Sequence, residues 1–148
     1  MKMKKTIVYG IFAVIFALVF TACDDGQTHS YDGKAALYGT WICTTGTYQP
    51  YTLTITDNTI KIEDKDGDYI QYADVQWGVK TANTNADYST DYPNGYTFTG
   101  TRTYQFYSTG NFAFVALSTD WQSVYVGENA SKKFNLLLSG GDPIYTKQ

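Results

Sequence analysis

Side chains able to do acid–base or nucleophilic chemistry are sparse in this chain. Its 148 residues include one histidine, His29, and two cysteines, Cys23 and Cys43. His29 falls in a polar stretch, 24–36, that is short of large apolar groups, so no Ser–His or Cys–His pair can be built inside a folded core. There is no Gly-x-Ser-x-Gly turn to present a nucleophile and no Cys/His cluster with metal-ligand spacing. A carboxylate pair about 5–9 Å apart could serve a glycoside hydrolase, with Asp74, Asp120 and Glu128 as candidates. The acidic residues, however, sit mainly in turn-forming stretches, where solvation accounts for them. Asp64, Asp66 and Asp68 invite a calcium reading. The loop template wants Gly at its sixth position and Glu at its twelfth, and counting from Asp64 these are Tyr69 and Val75. A hydrophilic Asp-Gly turn is the simpler account. The expectation is a protein that is not an enzyme and needs neither metal nor cofactor.

Cys23 points to a different chemistry. Lys2, Lys4 and Lys5 precede an apolar run of fourteen residues, 7–20, broken only by Gly10, and Phe20-Thr21-Ala22-Cys23 follows. This is the three-part layout of an export signal, and the run is short of the roughly 20 apolar residues a membrane span needs. The four residues resemble the lipobox of bacterial lipoproteins, with Phe where Leu is usual. That resemblance implies cleavage after Ala22 and diacylation of the Cys23 thiol, enough buried methylene for stable anchoring. The mature chain would then be held outside the cytoplasm, on a membrane of the cell envelope. Cys43 would lack an intramolecular disulfide partner, so the domain must rest on a packed core. A Cys23–Cys43 disulfide is the alternative.

The mature span, 23–148, is the length of one domain. Removing the signal takes away three of the eleven basic residues and none of the fourteen acidic ones, so the formal charge moves from −3 to −6. That sign argues against nucleic acid as a partner and gives no attraction to anionic lipid. The chain divides into signal peptide 1–22, a polar tether 23–36 and a folded domain 37–148. One helical turn is expected near Gly33-Lys34-Ala35-Ala36-Leu37, and beyond it the apolar period is two. In Tyr51-Thr52-Leu53-Thr54-Ile55-Thr56 the large residues face one way and the threonines the other. Further strands are expected over 60–63, 69–77, 96–107, 112–118, 121–126, 132–139 and 144–147, joined by turns at 57–58, 64–68, 109–111, 128–131 and 140–143 and by a long polar loop at 82–95. Eight or nine strands linked mostly by tight turns make an all-β antiparallel meander. It can fold as a β-sandwich or close into an up-and-down β-barrel of about eight strands. The barrel is preferred because closure removes unpaired edges.

Gly39-Thr40-Trp41 resembles the Gly-x-Trp motif that opens lipocalins and related calycins. Thr119-Asp120-Trp121 is similar to the second motif of that family, Thr-Asp-Tyr, and Lys147 stands where a basic residue stacks over the tryptophan. The resemblance covers 37–148 in outline. It implies a lipocalin-like barrel in which Trp41 plugs one end, with Gly39, Thr119 and Asp120 grouped there. A barrel of this size leaves room for one small ligand. The expected partner is therefore a small apolar or amphipathic molecule, lined by Tyr51, Tyr72, Tyr96, Tyr104 and Tyr125, in a monomeric domain. The competing expectation is a barrel filled by its own side chains, structural or acting through its loops, chiefly 82–95, on a partner.

Overall fold

The structure is a computed structural model; it describes residues 33–46, 49–105, 111–134 and 143–148. The signal segment, Cys23, His29 and the tether up to residue 32 lie outside the described residues, as do most of the turns expected at 109–111 and 140–143. The compact unit begins at Gly33.

A short 3-10 turn, Lys34–Leu37, leads into β1 (Gly39–Cys43), β2 (Tyr51–Ile55), β3 (Thr59–Glu63), β4 (Tyr69–Ala82), β5 (Asn94–Tyr104), β6 (Phe114–Leu117), β7 (Ser123–Asn129), β8 (Lys132–Lys133) and β9 (Ile144–Lys147). β1 to β7 pair antiparallel in sequence order, β7 pairs with β9, and β9 returns to β1. The ring is a closed, all-antiparallel barrel of eight strands, and the two-residue β8 adds to β7 beyond β9. Closure leaves the ring without an unpaired edge.

Alternation builds the interior. Trp41 and Cys43 on β1, Tyr51, Leu53 and Ile55 on β2, and Ile60 and Ile62 on β3 are each at most 2% exposed. The residues between them are half-exposed or exposed. At β4 the alternation breaks. A bulge between Ala73 and Gln76 inserts an extra residue against β5, and Asp74 takes φ 54° there. Tyr72 faces in, but the next inward residue is Val75, not Asp74. A bulge of this kind shifts the phase of the side chains that follow, so Trp77 rather than Gln76 meets Phe98 on β5, until a second irregularity between Trp77 and Lys80 shifts it again. The sequence reading ended this strand at Trp77. The strand runs five residues further because Lys80, Thr81 and Ala82 pair with Tyr96, Gly95 and Asn94.

A second, smaller core lies on the outer wall. Phe114 and Ala116 of β6 and Tyr125 of β7 are fully buried although they point away from the barrel axis. The segment 83–93 covers them with Tyr88 and Tyr92, whose rings stand 4.8 and 5.8 Å from that of Tyr125. Its backbone is tied down by Thr84 N–H to the Ala130 carbonyl, 2.7 Å, and by Thr119 N–H to the Asp91 carbonyl, 2.9 Å. Gly95 permits the close approach here. A Cβ at that position would come within 2.4 Å of the Val115 carbonyl oxygen and 2.5 Å of the Phe114 ring.

Candidate functional site

The two ends of the barrel differ. One is closed from below the start of β1. Trp41 is 1% exposed, and its Nε1–H donates to the Leu37 carbonyl at 2.9 Å, which holds the 3-10 turn against the barrel floor. Lys147 Nζ stands 6.0 Å from the Trp41 ring centroid, because β9 pairs Lys147 directly with Trp41. Around them, Trp77 Nε1–H donates to the Asp57 carbonyl at 2.7 Å and the Tyr38 hydroxyl to the Asp57 carboxylate at 2.8 Å.

Thr119-Asp120-Trp121 forms a turn. Asp120 accepts from the Ser118 hydroxyl at 2.6 Å and from the Gln122 backbone N–H at 3.1 Å. The Ser118 bond foremost, and the Gln122 bond after it, hold the Asp120 carboxyl below its ordinary pKa. Trp121, expected to open a strand, sits in this turn with φ 63° and 54% of its surface exposed; β7 starts only at Ser123. A cavity of about 180 Å³ opens between this turn, the 3-10 turn and the β4–β5 connection, lined by Leu37, Lys80, Tyr96, Leu117 and Trp121 among others. It is smaller than the roughly 300 Å³ at which small-molecule pockets begin.

The opposite end carries the polar inner wall. Tyr51 and Tyr72 are 1% and 6% exposed; among the described residues the Tyr51 hydroxyl has no hydrogen-bond partner, whereas the Tyr72 hydroxyl interacts with Arg102 and the Phe112 backbone. Tyr72 is directly opposite Arg102 in the β4–β5 register, so both side chains leave the same face of the sheet. Arg102 is half-buried, with Nε shielded from solvent. Burial raises the Tyr72 pKa above its ordinary value, and the Arg102 charge, a hydrogen bond with the Phe112 backbone and one with the Arg102 side chain offset part of that. Phe98 and Phe112 pack edge-on to the Tyr72 ring at 5.3 and 5.0 Å, and Phe134 packs on Phe112 at 5.1 Å.

The five candidate lining tyrosines therefore separate. Tyr51 and Tyr72 line the inner wall. Tyr96 faces inward at the closed end, near the 3-10 turn. Tyr104 shares the face of Arg102 but is 56% exposed, lying past the end of the covered wall with its ring under the guanidinium, 4.4 Å from centroid to Cζ. Tyr125 does not line the barrel. Val124 and Val126 take the inward positions on β7 and leave Tyr125 to the outer core. Among the described residues the buried hydroxyl of Tyr125 has no hydrogen-bond partner, and burial, followed by the charge effects of Tyr88 and Asp87, pushes its pKa to about 12.

Arg102 was missed in the sequence, although the signal was present. Tyr96, Phe98, Gly100, Arg102 and Tyr104 occupy alternate positions of one strand, and a cation in phase with an apolar row stands out. Of the three carboxylates considered for hydrolysis, two are engaged locally and one is exposed. Asp120 closes its own turn, Glu128 pairs with Lys132 at 2.7 Å, and Asp74 sits exposed in the bulge. The Asp64 carboxylate accepts from the Asp66 and Asp68 backbone N–H groups at 2.8 and 3.0 Å, the role of a turn-forming Asp. Among the described residues no three His, Cys, Asp or Glu side chains converge as a metal site would require, and no helix is long and apolar enough to cross a membrane.

The fold is a closed antiparallel eight-stranded barrel, consistent with a calycin-like architecture. No family model, curated protein or solved structure matches the chain.

Proposed function

We propose that this is a lipid-anchored protein of the bacterial cell envelope whose barrel holds a small amphipathic molecule at the end opposite Trp41. The observation that carries the binding reading is the Tyr51 hydroxyl, buried in the barrel interior without a hydrogen-bond partner among the described residues. Buried polar groups are nearly always satisfied, and an exception calls for an explanation. A bound molecule with an acceptor at one end and an apolar body supplies one. The protein acts by binding rather than by catalysis, since Asp120 and Glu128 have local structural partners and its histidine precedes the barrel in the chain.

Segment 83–93 bears on the rival view of a loop-driven interaction protein. Its tyrosines are used against the outer wall of β6 and β7, which leaves less of the loop to meet a partner.

Two measurements test the proposal. A clickable palmitate analogue fed to producing cells should label the protein, and Cys23→Ser should abolish the label and release the chain from the membrane fraction; a mutant that stays labelled contradicts the anchor. Native mass spectrometry of protein extracted gently from its source membranes should show a small adduct. Repeated absence of any adduct would overturn the binding role.

A further inference from the structure

We infer that the cavity beside Trp121, at the closed end of the barrel, is a binding site for one uncharged sugar ring of a glycan. The site is separate from the binding role proposed above, which concerns the other end. The placement of Trp121 leads to it. Its turn holds this residue at φ 63°, where a bulky side chain is strained and Gly or Asn would sit at ease. The backbone is fixed from several sides. Trp121 N–H donates to the Ser118 carbonyl at 3.0 Å. The Ser118 hydroxyl donates to Asp120 at 2.6 Å and accepts from the Gln122 and Ser123 N–H groups at 3.1 and 3.0 Å. Strain held in this way by its surroundings gathers at ligand sites. The indole is 54% exposed, so core packing does not account for it, and it lines the cavity. An aromatic ring fixed at a cavity mouth has little freedom left to lose on binding.

The rest of the cavity gives the ligand its chemistry. A volume of about 180 Å³ falls short of the roughly 300 Å³ of pockets for drug-sized ligands, so it admits one ring and not a long apolar body. Leu37 and Tyr96 line it as buried residues, whereas Lys80, Asn94 and Thr119 are exposed at its rim. A ligand that fits must show apolar surface to the indole and the floor and polar groups around its edge. A sugar ring does both. Its C–H hydrogens carry slight positive charge and meet the negative face of an aromatic ring. Its hydroxyls donate and accept, and so need neighbours of both kinds. The Lys80 ammonium only donates, while the Asn94 amide and the Thr119 hydroxyl do both. Charge points to a neutral sugar. Lys80 is the one charged residue lining the cavity, and Asp120, next to Trp121 in the turn, brings the opposite sign beside it. An acidic sugar would meet both, and a hydrocarbon would use none of the rim.

The test uses the full-length protein, extracted in a detergent without a sugar headgroup, and saturation-transfer NMR, which reads weak binding from the ligand's own signals. The probes are the methyl glycosides of glucose, galactose, mannose and N-acetylglucosamine, with cyclohexanol as an apolar ring bearing one hydroxyl. At least one glycoside should bind, with a Kd at least tenfold below that of cyclohexanol. Trp121→Asn should weaken that glycoside at least tenfold and leave the melting temperature unchanged or raised, because Asn accepts the left-handed backbone. Lys80→Met, a change on the exposed rim, should weaken it by about 3–10-fold, the loss expected for one hydrogen bond. Silence from all four glycosides would overturn the site, as would equal affinity for cyclohexanol or a Trp121→Asn variant that binds normally. A Trp121→Asn variant that melts well below the wild type would show that the indole serves packing, and would overturn the assignment too. A lipid surface is the rival occupant. If phosphatidylethanolamine vesicles shield Trp121 of the Cys23→Ser protein from acrylamide while no glycoside binds, this face meets membrane and the sugar site falls. None of these outcomes bears on the adduct expected at the other end.

Discussion

Replacing Trp41 should cost more stability than any other single truncation at the closed end. The side chain is 1% exposed and its indole N–H satisfies the Leu37 carbonyl at 2.9 Å. Trp41→Ala removes the ring and leaves a cavity that strands β1, β2 and β9 cannot collapse into without breaking register, for a loss of about 3–5 kcal/mol. Trp41→Phe keeps most of the apolar contact but strands the Leu37 carbonyl, a loss of about 1–3 kcal/mol. Lys147→Met removes only a cation 6.0 Å from the ring, worth no more than about 1 kcal/mol near the surface. A domain of this size has about 5–15 kcal/mol in total, so the Ala variant sits near the edge of folding. Urea unfolding followed by far-ultraviolet circular dichroism, which does not depend on the altered tryptophan, would measure all three. The order Ala, Phe, Met with unchanged urea dependence supports the plug. A loss below about 1 kcal/mol for Trp41→Ala, or equal losses for Ala and Phe, would refute it.

Other outcomes follow from the same packing. Tyr125 ionises near pH 12 in the folded chain against about 10 when unfolded, so the unfolded state loses its proton first and stability should fall as pH rises from about 10 to 12. Tyr125→Phe should remove part of that alkaline fall and be neutral or slightly stabilising at pH 7, checked by urea midpoints across the range; an unchanged alkaline profile would show that other groups cause it. Gly95→Ala forces a Cβ against the Val115 carbonyl and the Phe114 ring and should cost about 1–3 kcal/mol, read from thermal melts; no change would mean the β5–β6 contact is looser than described. Asp120→Ala should weaken the Ser118–Gln122 turn at neutral pH. Because the folded carboxyl titrates below its ordinary value, the wild-type advantage should fade as pH falls through that value. An advantage that persists in strong acid would contradict the assignment.

The sequence was most legible where one face of a strand is apolar and the other is not. In β2 and β3, large residues and threonines or charges alternate without exception, so strand, inward set and turn could all be read from residue type. The last strand, 144–147, was placed with its observed bounds. β6 and β7 resisted because both of their faces are covered. Phe114-Val115-Ala116 and Val124-Tyr125-Val126 are continuous apolar runs, and a run with no polar phase cannot say which side faces in. The covering segment, 83–93, read as a polar loop because only Tyr88 and Tyr92 carry its packing. Trp121 looked like a strand residue by type, but the turn held by Asp120 fixes its backbone at positive φ.

By itself the sequence determined the class of fold, because alternation and frequent turn residues leave an antiparallel meander as the economical outcome. The Gly-x-Trp resemblance at Trp41 and the export-signal pattern are likewise readings of a few adjacent residues. Tertiary structure alone decided which tyrosines share a space. Tyr51 and Tyr72 meet one interior although they are twenty-one positions apart in the chain, and Arg102 joins them through the β4–β5 register. That register carries two irregularities, at Asp74 between Ala73 and Gln76 and again between Trp77 and Lys80, each of which changes the phase of the residues after it. Alternation is local and can be read along the chain, whereas phase after a bulge depends on the neighbouring strand and appears only once the sheet has formed.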